Sequence, residues 1–278
     1  MTTPDRIIAT ILGCGSSGGV PRIGNDWGAC DPNEPRNRRR RCSLLIEGWR
    51  EGVSEPTRIL IDTGCDLREQ LLEAEVDRVD AVFYTHEHAD HTHGIDDLRV
   101  LALHNRKRVS VYFTPECGAR LREAFGYCFE TPPGSGYPPI LDAHEIEAGQ
   151  GVSVDGPGGT LHLVSFLQHH GDIESLGFKI GKTAYSCDLS GLPESAHAAV
   201  ADLDVWIVDA LRHTPHPSHL SLPETLDLIT RHAPRQAVLT DMHIDLDYAK
   251  LDAETPANVT PAFDGMRIDV VTGGILNR

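Results

Sequence analysis

An α/β fold is what this chain predicts, on three observations. Short apolar runs recur from end to end, helical periodicity follows several of them, and a dense His/Asp cluster sits directly after one such run. The strand-like segments, in order, are Ile7–Leu12, Ser43–Glu47, Arg58–Asp62, Ala81–Thr85, Val109–Phe113, Leu161–Phe166, Thr183–Ser186, Val205–Asp209 and Ala237–Thr240. Each is rich in apolar or β-branched residues and short enough to be a strand and not a helix. Helical patterns follow at Leu67–Ala74, Pro115–Phe125, Leu192–Ala201 and Leu222–His232, and Pro115 and Pro223 suit first-turn positions. No internal repeat and no low-complexity linker invites a domain cut, so residues 1–278 read as a single domain.

The chemistry is concentrated in Thr85-His86-Glu87-His88-Ala89-Asp90-His91. Three imidazoles and a carboxylate within six positions are poorly explained as core or surface, because crowded imidazoles depress one another's protonation without gain. Strand periodicity sends His86 and His88 to one side, and a turn at Ala89 swings Asp90 and His91 toward a neighbouring point. Two nitrogen ligands then serve one metal ion, and a mixed oxygen/nitrogen pair serves a second about 3.5–4 Å away.

This segment resembles the HxHxDH motif of the metallo-β-lactamase superfamily, and three further stretches agree in order. Arg58-Ile59-Leu60-Ile61-Asp62-Thr63-Gly64 looks like the first motif, in which the Asp supports the metal loop. His170, in Gln168-His169-His170-Gly171, looks like the third and Asp188, in Ala184-Tyr185-Ser186-Cys187-Asp188, like the fourth. The resemblance implies a four-layer αββα sandwich with the metals at one edge. It assigns His86, His88, Asp90, His91, His170 and Asp188 as metal ligands, with Asp188 bridging two divalent ions, zinc or manganese. The fifth motif departs from the family, because Asp241 stands after Leu239-Thr240 and His243 follows. Strand alternation keeps positions 241 and 243 on one side, so either could reach the second metal. Imidazole is the usual partner there, so His243 is the expected ligand and Asp241 its support.

The opening Gly13-Cys14-Gly15-Ser16-Ser17-Gly18-Gly19-Val20-Pro21, with the stretch through Arg38–Arg41, resembles the phosphoribosyl cyclic phosphodiesterase branch. That resemblance implies a phosphodiesterase, with Asp90 and His219 as catalytic residues, and His219 protonating the leaving oxygen. Backbone NH groups of a glycine-rich turn converge on anions, so Ser16 and Ser17 join Arg41 and His219 as candidate substrate contacts. The Arg38–Arg41 block itself reads equally as a solvated loop or as an anion grip. That branch also carries a cysteine-bound structural zinc, but only Cys30 is present in the corresponding stretch, and one thiolate cannot close a four-ligand shell.

Composition narrows the substrate. Against 25 basic residues stand 41 acidic ones, a formal charge of −16, which disfavours polymeric nucleic acid as partner. No apolar run reaches the roughly 18 residues of a membrane span, and the first residues lack the pattern of a signal peptide. Seven cysteines without a CxxC pair suit free thiols in a reducing cytoplasm. The expectation is therefore a cytoplasmic hydrolase of small cyclic phosphodiesters or nucleotides, acting through a metal-bridging hydroxide, with no membrane partner and with a homodimer left open. Only seventeen residues separate His170 from Asp188, too few for the RNA-gripping arm of the superfamily's tRNA endonucleases. A thioester or lactone hydrolase is the remaining rival, since the same hydroxide attacks a carbonyl.

Overall fold

The computed structural model describes residues 2–277. Two seven-stranded sheets pack face to face. The first holds β1 (Arg6–Gly13), β2 (Ser43–Trp49), β3 (Thr57–Ile61), β4 (Ala81–Phe83), β5 (Val109–Phe113), β6 (Leu141–Glu145) and, beside β1, β14 (Arg267–Asp269). The second runs β13 (Val259–Pro261), β12 (Gln236–Thr240), β11 (Val205–Asp209), β10 (Thr183–Ser186), β9 (Ile173–Ile180), β8 (Gly159–His170) and β7 (Gly151–Gly156). Each sheet joins antiparallel strands to a parallel set: β1–β2–β3 pair antiparallel and β3 to β6 parallel, while β7 to β10 pair antiparallel and β10 to β13 parallel.

Alternation along the strands builds the layers. Leu44, Ile46, Ile59 and Ile61 face the second sheet and join the core formed with Leu163, Phe178 and Val208. Their neighbours Leu45 and Leu60 face the other way, against Leu67 and Leu71 of α1 (Leu67–Glu73), Leu101 of α3 (Leu98–Asn105) and Leu121 of α4 (Pro115–Phe129). Phe83 bridges the sheets, stacked on Tyr112 at 4.6 Å and edge-on to Phe178 at 5.5 Å. On the far side, α5 (Leu222–His232) buries Leu222 and Ile229 and sets His232 5.5 Å from Trp206, and α6 (Tyr248–Glu254) buries Leu251. The result is the αββα order of layers expected from the resemblance.

Two local expectations need correction. Leu192–Ala201 forms only a 3₁₀ turn at Glu194–Ala196, because Pro193 holds extended backbone and the chain turns on through residues 197–202. The strand that carries the His cluster ends at Phe83, two residues short of the expected Thr85. His88 keeps extended dihedrals and α2 (Ala89–Thr92) starts directly after it, which supplies the expected turn. Among the described residues no helix is long and apolar enough to cross a membrane.

Candidate metal centre

One edge of the sandwich collects the polar residues, at the carboxyl ends of β3, β4, β8, β10, β11 and β12. Three aspartates sit immediately or almost immediately past such ends, Asp62 after β3, Asp188 after β10 and Asp241 after β12. All three have left-handed backbone, with φ of 64°, 50° and 58°. Asp tolerates that region better than most residues, since its short side chain bonds locally. The kink ends each strand and turns the carboxylate toward the shared edge.

Around Asp188 the imidazoles converge. His86 Nε2 and His170 Nε2 lie 3.7 and 3.5 Å from its Oδ2, while His91 Nε2 lies 3.1 Å from Oδ1. His88 Nδ1 is 3.2 Å from His170 Nε2, and Asp90 Oδ2 is 3.5 Å from His91 Nε2. Two of the other ring nitrogens are held by fixed partners. His170 Nδ1–H donates to Ser218 O at 2.6 Å, and His91 Nδ1–H donates to Asp62 Oδ2 at 2.8 Å. Those bonds direct the lone pair of each Nε2 inward. Asp62 is itself fixed by Thr85, whose backbone N and hydroxyl both donate to it at 2.8 Å.

The donors fit divalent cations. One set of ligand atoms within 4.8 Å of one another comprises His86, His88, His170 and Asp188, and a second comprises Asp188, His219 and Asp241. His86 Nε2 and His91 Nε2 are buried without a hydrogen-bond partner, an arrangement that is costly unless a cation meets them. Burial pushes the His86 imidazole well below its ordinary pKa, so the ring is neutral. Asp188 is held well below the carboxylate range although burial opposes it, because His91, His86 and His219 surround it.

His219 faces the same point. Its Nε2 is 3.9 Å from Asp188 Oδ2, while Nδ1 contacts Asp209 Oδ2 at 2.8 Å and Asp241 Oδ2 at 3.0 Å. Burial disfavours its cation, but Asp241 and Asp209 outweigh that and hold the imidazole up to about 12. Asp209 escaped the sequence reading, although the pattern was there: Val205-Trp206-Ile207-Val208-Asp209 is an apolar run ending in a carboxylate, as Ile59-Leu60-Ile61-Asp62 is.

His243 is placed elsewhere. It does not stay on the side of Asp241, because the left-handed backbone at Asp241 ends strand alternation. Its Nε2 contacts Arg22 and its Nδ1 lies 3.1 Å from Asp245 Oδ2, outside both ligand sets. Asp241, expected as support, is the fifth-motif residue that reaches Asp188 and His219.

The expected substrate contacts divide. Ser16 is buried with its backbone N 3.4 Å from Met242 O, so the glycine-rich turn lies along the end of β12. Ser17 gives its carbonyl to Arg41 Nε at 3.3 Å. The Arg41 guanidinium pairs with Asp66 through Nη1, at 2.8 and 3.0 Å. Arg40 pairs with Asp264 and Glu73, Arg39 is buried on the carbonyls of His243 and Leu246, and Arg38 lies over Trp27. The block lines a cavity of about 670 Å³ together with Asp66, Glu69, Glu73 and Asp264, which balance its charge. Arg40 is tied to a residue 224 positions away in sequence, whereas Arg38 is exposed and lies over Trp27. Cys30 packs with Val20, Ile244 and Trp27.

Comparison with known proteins agrees with this architecture. A family model described as a beta-lactamase superfamily domain matches residues 57–244. The octanoyltransferase of Porphyromonas gingivalis (strain ATCC BAA-308 / W83) is 30% identical over 268 residues, which are 95% of this chain and 52% of that protein. The chain thus spans about half the length of that curated relative. Among solved structures, a diphosphatase from the PhnP family is 30% identical with a TM-score of 0.84, over 95% of this chain and 97% of that one. Zn²⁺-bound PqqB from Methylobacterium extorquens is 18% identical with a TM-score of 0.70, over 94% and 99%. The metallo-β-lactamase fold protein YhfI from Bacillus subtilis is 16% identical with a TM-score of 0.67, over 95% and 100%. The last two likenesses are of fold.

Proposed function

We propose that this chain, which belongs to the beta-lactamase superfamily and is a hydrolase of the metallo-β-lactamase fold, is a two-metal phosphodiesterase of small substrates. The observation that carries the proposal is the convergence of imidazoles and carboxylates on Asp188, which shares one four-residue ligand set with His86, His88 and His170 and lies 3.1 Å from His91 Nε2 on its other oxygen. In this reading His86, His88, His170 and Asp188 hold one ion, and Asp90, His91, Asp188 and Asp241 hold the other. Divalent ions at such a site supply Lewis acidity to phosphoryl oxygens and lower the pKa of water toward neutrality. A shell of imidazole and carboxylate suits zinc and manganese alike.

The chain's own residues do the rest. Asp62 and Ser218 O fix the tautomers of His91 and His170, so their inward nitrogens stay free to bind. Asp209 and Asp241 hold His219 by Nδ1, which leaves Nε2 directed at the Asp188 side. A proton on that nitrogen is in place to go to a departing alkoxide. A negatively charged surface repels a polyanion over a Debye length of about 8 Å, whereas a small ester feels mainly the local site. The preferred substrate is therefore a small phosphodiester, cyclic phosphodiesters included, or a nucleotide.

A diphosphate bond is the second reading, favoured by the 30% identity to a PhnP-family diphosphatase across 95% of this chain. The test is steady-state hydrolysis by protein loaded with zinc or manganese, across phosphodiester, diphosphate, thioester and lactone panels. Phosphate esters or anhydrides should lead. Thioester or lactone turnover far above every phosphorus substrate would overturn the proposal.

A further inference from the structure

The rim of the site beside Asp241 carries positive charge that the proposed reaction leaves unused. Because Gly15 pairs with Met242, the glycine-rich turn brings Arg22 over to the end of β12. There its Nη2 donates to His243 Nε2. His243 N donates to Leu211 O at 2.9 Å, which sets the next residue, Arg212, on the same flank. Arg212 is braced by its own loop, with Nε 3.1 Å from Thr214 O and Nη2 2.7 Å from Pro215 O. That loop also carries His216, whose ring is 5.2 Å from the ring of His219.

Neither Arg22 nor Arg212 has a carboxylate partner among the described residues; their side-chain bonds go to an imidazole and to carbonyls. Elsewhere the half-buried or buried arginines Arg40, Arg41, Arg58 and Arg78 are each ion-paired. In a chain of net charge −16, Arg39, buried on carbonyls, and Arg50, bonded to Thr2, also lack a carboxylate partner, but Arg22 and Arg212 are the half-buried pair that lacks one beside the reaction centre. A guanidinium offers a planar fork of donors that matches phosphate oxygens, and here part of each fork is already oriented by protein acceptors.

We propose that Arg22 and Arg212, with His243 positioning Arg22, form a subsite for a second phosphate of the substrate, next to the phosphate that is attacked. The proposal rests on the phosphodiesterase reading and deepens it: diphosphates are favoured over phosphodiesters that carry a single phosphate. Bis(p-nitrophenyl) phosphate and P¹,P²-bis(p-nitrophenyl) diphosphate make a clean pair, since they share both ends and both yield p-nitrophenyl phosphate. For the zinc-loaded wild type, kcat/KM should be higher for the diphosphate. Arg22→Ala and Arg212→Ala should each lower the diphosphate-to-monophosphate ratio about tenfold, mainly through KM, the usual size for a lost charge-assisted hydrogen bond. Arg22→Lys, which keeps the charge but not the fork, should lose less.

Calorimetric binding of ADP and AMP to the zinc-loaded protein gives a readout without turnover. ADP should bind about tenfold tighter than AMP, and Arg22→Ala should erase that margin. Circular dichroism and metal content show that each variant is folded and loaded, and the two arginines provide independent variants. Equal losses on both substrates would overturn the subsite. A wild type that cleaves neither compound sinks the phosphodiesterase reading, and a wild type without an ADP margin sinks the subsite whatever it cleaves.

Discussion

Replacing Asp62 by Asn removes one charge at a residue that is not itself a proposed metal ligand, yet it should empty part of the centre. Asp62 is fully buried and accepts three hydrogen bonds of 2.8 Å: from Thr85 N, from the Thr85 hydroxyl and from His91 Nδ1–H. Asn can keep the first with its carbonyl. Its NH₂ then confronts the other two donors. The Thr85 hydroxyl can rotate to accept, but His91 can accept only by moving its proton from Nδ1 to Nε2. That nitrogen lies 3.1 Å from Asp188 Oδ1, so the lone pair meant for a cation is lost. Loss of such an orienting partner typically costs about 10–100-fold in metal affinity, or about 1.4–2.8 kcal/mol. The fold should tolerate the change, because Asn also accepts the left-handed backbone at φ 64°. Asp62→Ala should unfold far more easily, since it leaves several buried donors unpaired at about 1–3 kcal/mol each. Competition with a chromogenic chelator reads the affinity, and thermal unfolding of metal-stripped protein reads the fold. Wild-type affinity at both sites in Asp62→Asn would refute the tautomer argument.

Three further expectations follow from the geometry. A Cβ at Gly64 would lie 2.1 Å from Asp90 O, so Gly64→Ala must shift the metal loop; its metal content after dialysis should fall, and full retention would show that the loop yields. His243→Ala should keep the wild-type metal stoichiometry because its imidazole faces Arg22 and Asp245, whereas Asp241→Ala should lose one ion; the opposite ranking in metal analysis returns the ligand role to His243. His219→Ala should slow cleavage of alkyl esters more than of nitrophenyl esters, which need no proton on departure, and equal losses would make His219 a positioning group.

Much of the centre was legible because its residues are adjacent in sequence. His86, His88, Asp90 and His91 need only a short extended stretch and one helical turn to converge, and both are local. The strands flanking them are continuous apolar runs, which few other structures accommodate. What could not be read depended on backbone or on distance. Period-2 reasoning carried His243 along with Asp241, and a single positive φ undid it. The arginine block looked like a charged surface because Asp264, 224 residues away, is invisible as a partner of Arg40. Short strands such as Val259–Pro261 and Arg267–Asp269 carry three residues each, too few for a pattern to register.

The left-handed backbone shared by Asp62, Asp188 and Asp241 has a consequence for how such a chain can change over generations. At most strand ends a mutated carboxylate meets selection twice, once on folding and once on catalysis. Here Asn fits the same dihedrals nearly as well as Asp, so the exchange of one oxygen for an amide nitrogen reaches catalysis while leaving the chain trace largely untouched. Foldability and activity are thus uncoupled at these three positions. A descendant with Asn at all three would keep the sandwich and the histidines, and would still be grouped with its active kin by shape. For close kin of this chain, the residue at those three bends therefore says more about activity than overall likeness does.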